Sequence, residues 1–474
     1  MLWLLAAPAF ASGYYYIDSG ARAIGRGGAF VVGADDLSAQ YYNPAALKNI
    51  KRPLFNLQGW AAAQYVRFDR ADDEDGTVFE PVENESPPIY EPAAGFATHL
   101  GGLHPYLSRT HFALGLYVPT APYLAYPADG AQRYQLVDSL IWQAYAGPSV
   151  AHEITPWLTV GASLQYTFLR VEERLNATVC LRPDPADCAD ESVADDPAND
   201  LALSVSNWDP FKLSWNAGFI VTPHPMIEIG ASVQPPISYE APGTLGASFS
   251  EDFILADQLD GTTFEDPDTL LKVTVPLTIR TGVQVTPIEA LRIEADWTYT
   301  QWSTMSEFRI TNMDMVVPHK EGAVLLDEDL EVTDDVVFRT GFQDAWSIRL
   351  GGDYKITEWA QVRLGGHYES SALPTATTGV NLPEAPKFGV GVGGTFTIAK
   401  RVALDVGFAE QFLGTQHITD SQVAQQALWT DASNPEDSAV VPGRIVGNGD
   451  LTSNVTYVSL GATVYFGGTD STTN

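Results

Sequence analysis

The sequence predicts an all-β fold, a fourteen-stranded antiparallel transmembrane β-barrel with an N-terminal α-helical hatch (plug) inside its lumen. Three observations carry this expectation. Fourteen stretches alternate apolar residues with small or polar ones. Six very short turns alternate with seven long, acidic, turn-rich segments between those stretches. No window holds about eighteen consecutive apolar residues, the length a helical span needs. Hydrocarbon offers no water to backbone N–H and C=O groups, so a membrane-crossing chain without helical spans must close into a barrel. Its hairpins then turn briefly at the periplasmic rim and at length outside.

The elements follow in order. Leu2 to Phe10 is apolar and runs through Ala9-Phe10-Ala11 to Ser12, like the core and cleavage site of a secretory signal, but without a basic leading region. The expected organisation is therefore a signal peptide at 1–11 whose true start is left open, a hatch at 12–50, the barrel at 51–466 and a short tail at 467–474. Strands are expected at 54–69, 92–104, 109–119, 138–153, 156–172, 207–223, 225–240, 270–286, 290–310, 335–355, 358–370, 385–399, 401–414 and 453–466. The tight turns fall at 105–108, 154–155, 224, 287–289, 357 and 400. The fifth strand sets Leu158, Val160, Ala162, Leu164, Tyr166 and Phe168 against Thr159, Gly161, Ser163, Gln165 and Thr167. The last strand sets Val458, Leu460, Ala462, Val464 and Phe466 against Ser459, Gly461, Thr463 and Tyr465. One face suits lipid and the other a wetter lumen. A soluble sandwich also alternates, but strand number, strand length and the asymmetry of the connections favour the barrel. Tyr65, Phe68, Trp157, Trp215, Trp297, Tyr299 and Trp359 lie near strand ends, where interfacial girdles form.

Among the 474 residues, 59 acidic against 26 basic side chains give a net charge of −33, which argues against nucleic-acid partners. Much of the excess sits in loops, at Asp72 to Asp75 and at Asp184, Asp187, Asp190, Glu191, Asp195 and Asp196. Plain solvation explains these carboxylates; the alternative is divalent cations bridging them to lipopolysaccharide, although no spacing matches a defined calcium loop. No metal site or cofactor is expected. Cys180 and Cys188, eight residues apart in an exported chain, read as a disulfide pinning the third long loop, with two free thiols as the alternative.

A barrel of this size leaks unless filled. The block from Gly20 to Leu47 is too glycine-rich for a disordered tail and too apolar for water. In it Asp35 or Asp36 can cap a short helix through Tyr41, and Asn43-Pro44 can open another. Gly25, Gly27 and Gly28 permit close approaches, and the missing strand and Lys-Ser/Thr rule out a phosphate loop.

These residues resemble the FadL/TodX outer-membrane transporters of long-chain fatty acids and aromatic hydrocarbons. The resemblance begins with Gly-Gly-Ala, Asp35, Asp36 and Tyr42-Asn43-Pro44-Ala45, and continues through Pro235-Pro236-Ile237-Ser238-Tyr239 and Val275-Pro276. It extends over Trp297 to Ser303, Phe342 to Gly351 and Pro386-Lys387. It implies a monomeric barrel in outer-membrane lipid, hatch residues Gly25, Gly27, Gly28, Asp35, Asp36, Tyr42, Asn43 and Pro44, and a ligand groove between the third and fourth long loops. It further implies an internal apolar site and a lateral opening at a kink in the third strand. Carried over, the groove takes Leu201, Leu203 and Val205 from the third loop and an exposed apolar series, Leu245, Phe249, Phe253, Ile254 and Leu255, from the fourth, the alternative being a fourth loop packed on its neighbour. The acidic, cysteine-bearing third loop departs from the family. Gly115, Pro119 and Pro122 are the kink candidates, or else simply end the strand at the loop. Arg280 and Arg349 face inward; each either pairs with an acid, Asp353 sharing the face of Arg349, or meets a fatty-acid carboxylate.

No enzyme is expected, since the eight histidines fall in no nucleophile or zinc motif. The resulting expectation is passive transport of hydrophobic molecules, long-chain fatty acids first. Aromatic hydrocarbons or other lipids by the same route, or a general porin, are the alternatives.

Overall fold

The computed structural model describes residues 19–73, 76–180, 182, 184–189, 195–249, 253, 256, 258–305, 307–312, 315–321, 330–332, 336–339, 341–431 and 434–467. The signal-like segment, Ser12, Ile254 and Leu255 lie outside the described residues. Fourteen walls of strand follow one another: β1 Leu54–Arg70, β2 Ile89–His99, β3 Thr110–Thr120, β4 Asp138–Thr155, β5 Leu158–Cys180, β6 Asp200–His224 and β7 Ile227–Gln234 with Ile237–Phe249. Then come β8 Thr263–Val275 with Thr278–Ile288, β9 Leu291–Thr300 with Glu307–Thr311, β10 Val336–Arg339 with Ala345–Thr357, β11 Ala360–Glu369, β12 Lys387–Ile398, β13 Val402–Ile418 and β14 Gly449–Tyr465. Each pairs antiparallel with the next, and β1 pairs with β14 from Leu54↔Tyr465 to Arg70↔Gly449, so the sheet closes with no edge.

Period-two patterning sets the facing. In β5, Val160, Leu164 and Tyr166 are exposed while Thr159, Ser163, Gln165 and Thr167 are buried. In β14, Val458 and Leu460 are exposed and Ser459 and Thr463 buried. The exposed hydrophobics are the lipid wall of an outer-membrane barrel, and the buried polar residues line its interior. Trp157, Trp215, Trp297 and Trp359 stand outward as expected of a girdle, but Phe68 does not: its parity sends it inward onto Leu124 and Tyr126.

Several strand ends differ from expectation. The β5–β6 ladder continues to Thr178↔Asp200, so much of the expected third loop is a strand tongue rather than coil. The β2–β3 turn is longer than expected, because Leu100–Gly102 and Pro105–Leu107 form 3-10 turns, the second started by Pro105. β9 is interrupted by a 3-10 turn, Trp302–Met305, that buries Trp302 and Met305 inside. The last long loop carries a hairpin, Ala424–Asp431 with Asn434–Ile445, that adds in parallel to Thr178, Val179 and Cys180 of the tongue. Cys180 and Cys188 are bonded beneath it and buried with Ala427.

Residues 19–50 are almost wholly buried within the ring of strands. They form two single-turn helices, α1 Ala21–Ile24 and α2 Ala39–Tyr42, and a 3-10 turn, Pro44–Asn49. Asn43 caps that turn, its Oδ1 accepting the Ala45 N–H at 3.1 Å, and Pro44 takes the first position, where a missing N–H costs nothing. Neither aspartate caps α2, which starts later than expected, with Ser38 at its N-cap. Asp36 instead accepts the Ser38 N–H at 2.9 Å.

Candidate functional site

The inner end of the N-terminal segment is held by charge. Arg22 reaches Asp35 at 2.8 Å, Asp405 of β13 at 3.1 Å and Asp36 at 3.8 Å. Arg26 bonds Glu294 of β9 and Asp353 of β10, both at 2.8 Å. Arg292 closes the circuit, 2.9 Å from both Asp35 and Asp353. The strand carboxylates also take backbone donors: Phe30 and Val31 N–H donate to Asp296, Val32 and Gly33 N–H to Glu294. The segment has no regular structure there, so its buried N–H groups require acceptors from the wall. Although burial opposes ionisation of Asp35, Arg292 and Arg22 outweigh it and hold its carboxyl well below the usual range. Asp36 is pushed the other way, by burial.

Close approach completes the seat. Gly27 has φ +60°, and a Cβ there would lie 2.5 Å from the Gly366 nitrogen. Gly365 and Gly391 of the wall meet the Arg26 and Ile24 carbonyls so closely that side chains would not fit. Gly25 packs on Gly393, and Gly28 is also left-handed. None of these wall contacts was legible beforehand; the runs of paired glycine in β10 to β12 were the available signal.

The other face of the segment is aromatic. Tyr41 meets Tyr42 edge-on at 4.9 Å and Tyr117 at 5.7 Å, Tyr117 stacks on Tyr145 at 5.3 Å, and Trp302 stacks on Phe342 at 5.4 Å. These rings join Phe30, Tyr239, Val273, Val275, Leu373 and Leu382 in one buried cluster spanning the segment, the strands and inward-turned loops. Strand glutamines hold the tyrosine hydroxyls: Gln165 to Tyr117 at 2.6 Å and Gln143 to Tyr239 at 2.8 Å. Tyr42 is the exception, its hydroxyl buried without a partner and its ionisation pushed up by that burial.

The two inward arginines part company. Arg349 pairs with Glu369 of β11 at 3.4 Å, not with Asp353, which Arg26 and Arg292 already occupy. Lys387 bridges Glu369 at 3.4 Å and Glu384 at 2.9 Å, and burial lifts the Glu384 carboxyl to about 8 despite that lysine. Arg280 pairs with no carboxylate among the described residues. It is buried, its guanidinium lies 4.4 Å from the Tyr41 ring, and its Nη1 has no hydrogen-bond partner.

The loop residues are covered. Phe249 and Phe253 touch each other at 4.3 Å and pack with Leu201, Val205, Leu245 and Leu271, with Leu203 at the margin. The described members of the expected exposed series, Leu245, Phe249 and Phe253, are thus buried, as the alternative of a loop packed on its neighbour has it: the third-loop tongue and the fourth loop shield each other's apolar side chains. Around them Arg70 grips Asp195 at 2.6 Å, Arg444 meets Asp73 at 2.9 Å and Arg133 meets Asp200 at 2.7 Å, tying the first, second, third and last loops together.

In β3 the irregularity lies at Val118-Pro119, where the register to β4 shifts between Tyr117↔Tyr145 and Thr120↔Gln143. The β2–β3 ladder ends at Ala93↔Tyr117 although β2 runs on to Ile89 against β1. Gly115 is not part of this irregularity. It pairs regularly, and Gln40 of α2 fills the room beside it. Pro122 lies beyond the strand, its carbonyl accepting the Ile141 N–H at 3.1 Å.

With this geometry in view, comparison with known proteins places the chain. A profile of the family described as outer membrane protein transport protein (OMPP1/FadL/TodX) matches residues 2–443. A 47 kDa outer membrane protein of Pasteurella multocida is 25% identical over 217 residues, 45% of this chain and 46% of that protein, so the match spans about half of that relative's length. The crystal structure of a Pseudomonas aeruginosa FadL homologue superposes with a TM-score of 0.74 at 16% identity, covering 96% of this chain and 100% of that one. The Ralstonia pickettii toluene transporter TbuX gives 0.62 at 15% identity, with 95% and 99% covered. The Pseudomonas putida toluene transporter TodX gives 0.62 at 14%, with the same coverage. At such identities the structures speak for the fold, and the profile speaks for the lineage: the chain belongs to the OMPP1/FadL/TodX family of outer membrane transport proteins.

Proposed function

We propose that this barrel carries hydrophobic small molecules, long-chain fatty acids foremost, passively across the outer membrane. The cargo is captured where the third-loop tongue and the fourth loop part, and passes to the aromatic cluster around Tyr41 and Tyr117. There the end of the segment bearing Tyr42 and Asn43 repacks while the part bearing Gly25, Gly27 and Gly28 stays seated, and the cargo leaves sideways where β2 and β3 separate beside Val118-Pro119. A greasy molecule gains nothing from a watery bore and can enter lipid through a wall opening. The seat of Arg22 and Arg26 favours this route, because dislodging the segment whole would strip several buried ion pairs at once.

The observation that carries the fatty-acid reading is Arg280. A buried guanidinium without an acid, set among rings, matches the needs of an acyl chain ending in a carboxylate: apolar walls for the chain and planar donors for the head. The test measures binding of oleate and of toluene to R280L. Loss of a charge-assisted contact is expected to weaken oleate by about tenfold or more and leave toluene unchanged. Equal binding of oleate by native protein and R280L overturns the fatty-acid reading.

A further inference from the structure

Glu91 has no place in the account so far. It lies on the face of β2 shared with Ala93 and Ala97, between outward-facing Tyr90 and Pro92, and two residues from the point where the β2–β3 ladder ends. Its side chain is buried to 1% exposure, and neither carboxyl oxygen has a hydrogen-bond partner. No cation pairs with it among the described residues, and the Ala121 N–H is the backbone donor that comes near it. Close by in the chain, Val118 and Ala121 pack with Ala144, Ile89 and Phe168 in a small apolar cluster. Every other carboxylate of the inner network described above is met by an arginine, a lysine or backbone donors. A buried carboxyl left without a partner is costly, and the wall between β1 and β3 supplies none. A polar group passing along the seam would supply the partner that the wall does not.

We propose that Glu91 is the specificity-determining residue of the lateral exit, holding the hydrogen-bonding head of an amphiphile, a carboxylic acid in its neutral form, as it moves between β2 and β3. The proposal rests on the sideways route given above. The chemistry follows from the two media. An anion enters hydrocarbon at high cost, so the acid leaves protonated, taking its proton from water as it quits Arg280, and its O–H donates to Glu91 while the chain is already in lipid. A hydrocarbon has no such group and gains nothing from Glu91. Arg280 and Glu91 would then serve one cargo in succession, the first its charged form and the second its neutral form.

The experiment uses cells whose only channel for such cargo is this chain, with uptake of labelled oleic acid and labelled toluene followed for E91L, E91Q and E91W. Folding of each variant is checked by the heat-dependent gel shift of the barrel. E91L is expected to slow oleic acid by about fivefold to tenfold, the loss of one buried hydrogen bond, with toluene unchanged. E91Q keeps a hydrogen-bonding group and is expected within about twofold of native on both. E91W fills the seam and is expected to slow both. Oleic acid uptake equal to native in E91L overturns the role of Glu91, as does an equal fall of both cargoes in E91L. Toluene uptake unchanged in E91W overturns the sideways route itself, a separate failure from that of Glu91 alone. R280L reports independently on whether fatty acids are cargo at all.

Discussion

The two faces of the N-terminal segment are held by opposite physics. Its seat on β9, β10 and β13 is made of ion pairs and backbone-to-carboxylate bonds, as at Arg26 with Glu294 and Asp353. Its other face, at Tyr41 and Tyr42, is held by ring contacts against Tyr117 and Phe30. Ionic contacts are short and directional, and losing one partner strands a buried charge. Ring contacts are individually weak and can be exchanged for those of an incoming apolar molecule. On the proposed route, such a segment stays anchored at one end while the other repacks around cargo.

The largest expected effect breaks the comparison at its stiff end. R26L leaves Glu294 and Asp353 without their shared cation and is expected to cost about 3–5 kcal/mol, read as a lower urea midpoint in micelles. It should also raise leakage of small polar solutes in a liposome-swelling assay; unchanged stability and leakage would mean the ionic seat does not anchor the segment. Deletion of 20–47 should raise the same leakage further, and background conductance without it would remove its role as a stopper. Next in size is Y41A, which removes a ring from the soft end and should cost about 2–4 kcal/mol with little gain in polar leakage. Leakage equal to that of R26L would erase the distinction between the two faces.

Smaller effects come from pH, where Asp35 of the ionic seat and Glu384 of the β11–β12 connection titrate in opposite senses. Asp35 is held below its ordinary value by Arg292 and Arg22, so its contribution is present above about pH 4 and is lost as pH falls below that. Glu384 is raised to about 8 by burial, so the folded state binds the extra proton: its contribution is full below about pH 4.5 and is lost as pH rises through about 8. Unfolding midpoints of native protein, D35N and E384Q across pH 3–10 check both signs. E384Q should flatten the decline between about pH 4.5 and about pH 8 alone, and D35N the decline below about pH 4 alone; the reverse pairing would show that other groups control the two limbs.

Legibility followed the range of the interactions. Strand number, the sidedness of Val160 and Leu164, and the alternation of short turns with long loops all came from local patterning, since a strand's two faces meet different media every second residue. The Asn43-Pro44 turn was equally local. The charged seat was not, because Arg22 and Asp405 are separated by 383 positions and meet only when the barrel closes. Nor was the pairing of Arg349. Asp353 shares its inward face but stands four residues along the same strand, about 13 Å away, whereas Glu369 comes within reach only once β11 pairs beside β10. Phe249 and Phe253 look exposed in a loop read alone; the tongue of β5 and β6 covers them.

What the amino-acid order alone determined is the wall: a closed cylinder with an apolar outside, because each strand must satisfy lipid on one side and the lumen on the other. What only the folded chain decided is which inward charges find partners. Arg26 and Arg349 do, while among the described residues Arg280 meets no acid and Glu91 no cation, and that difference depends on distances across the lumen that no local pattern encodes.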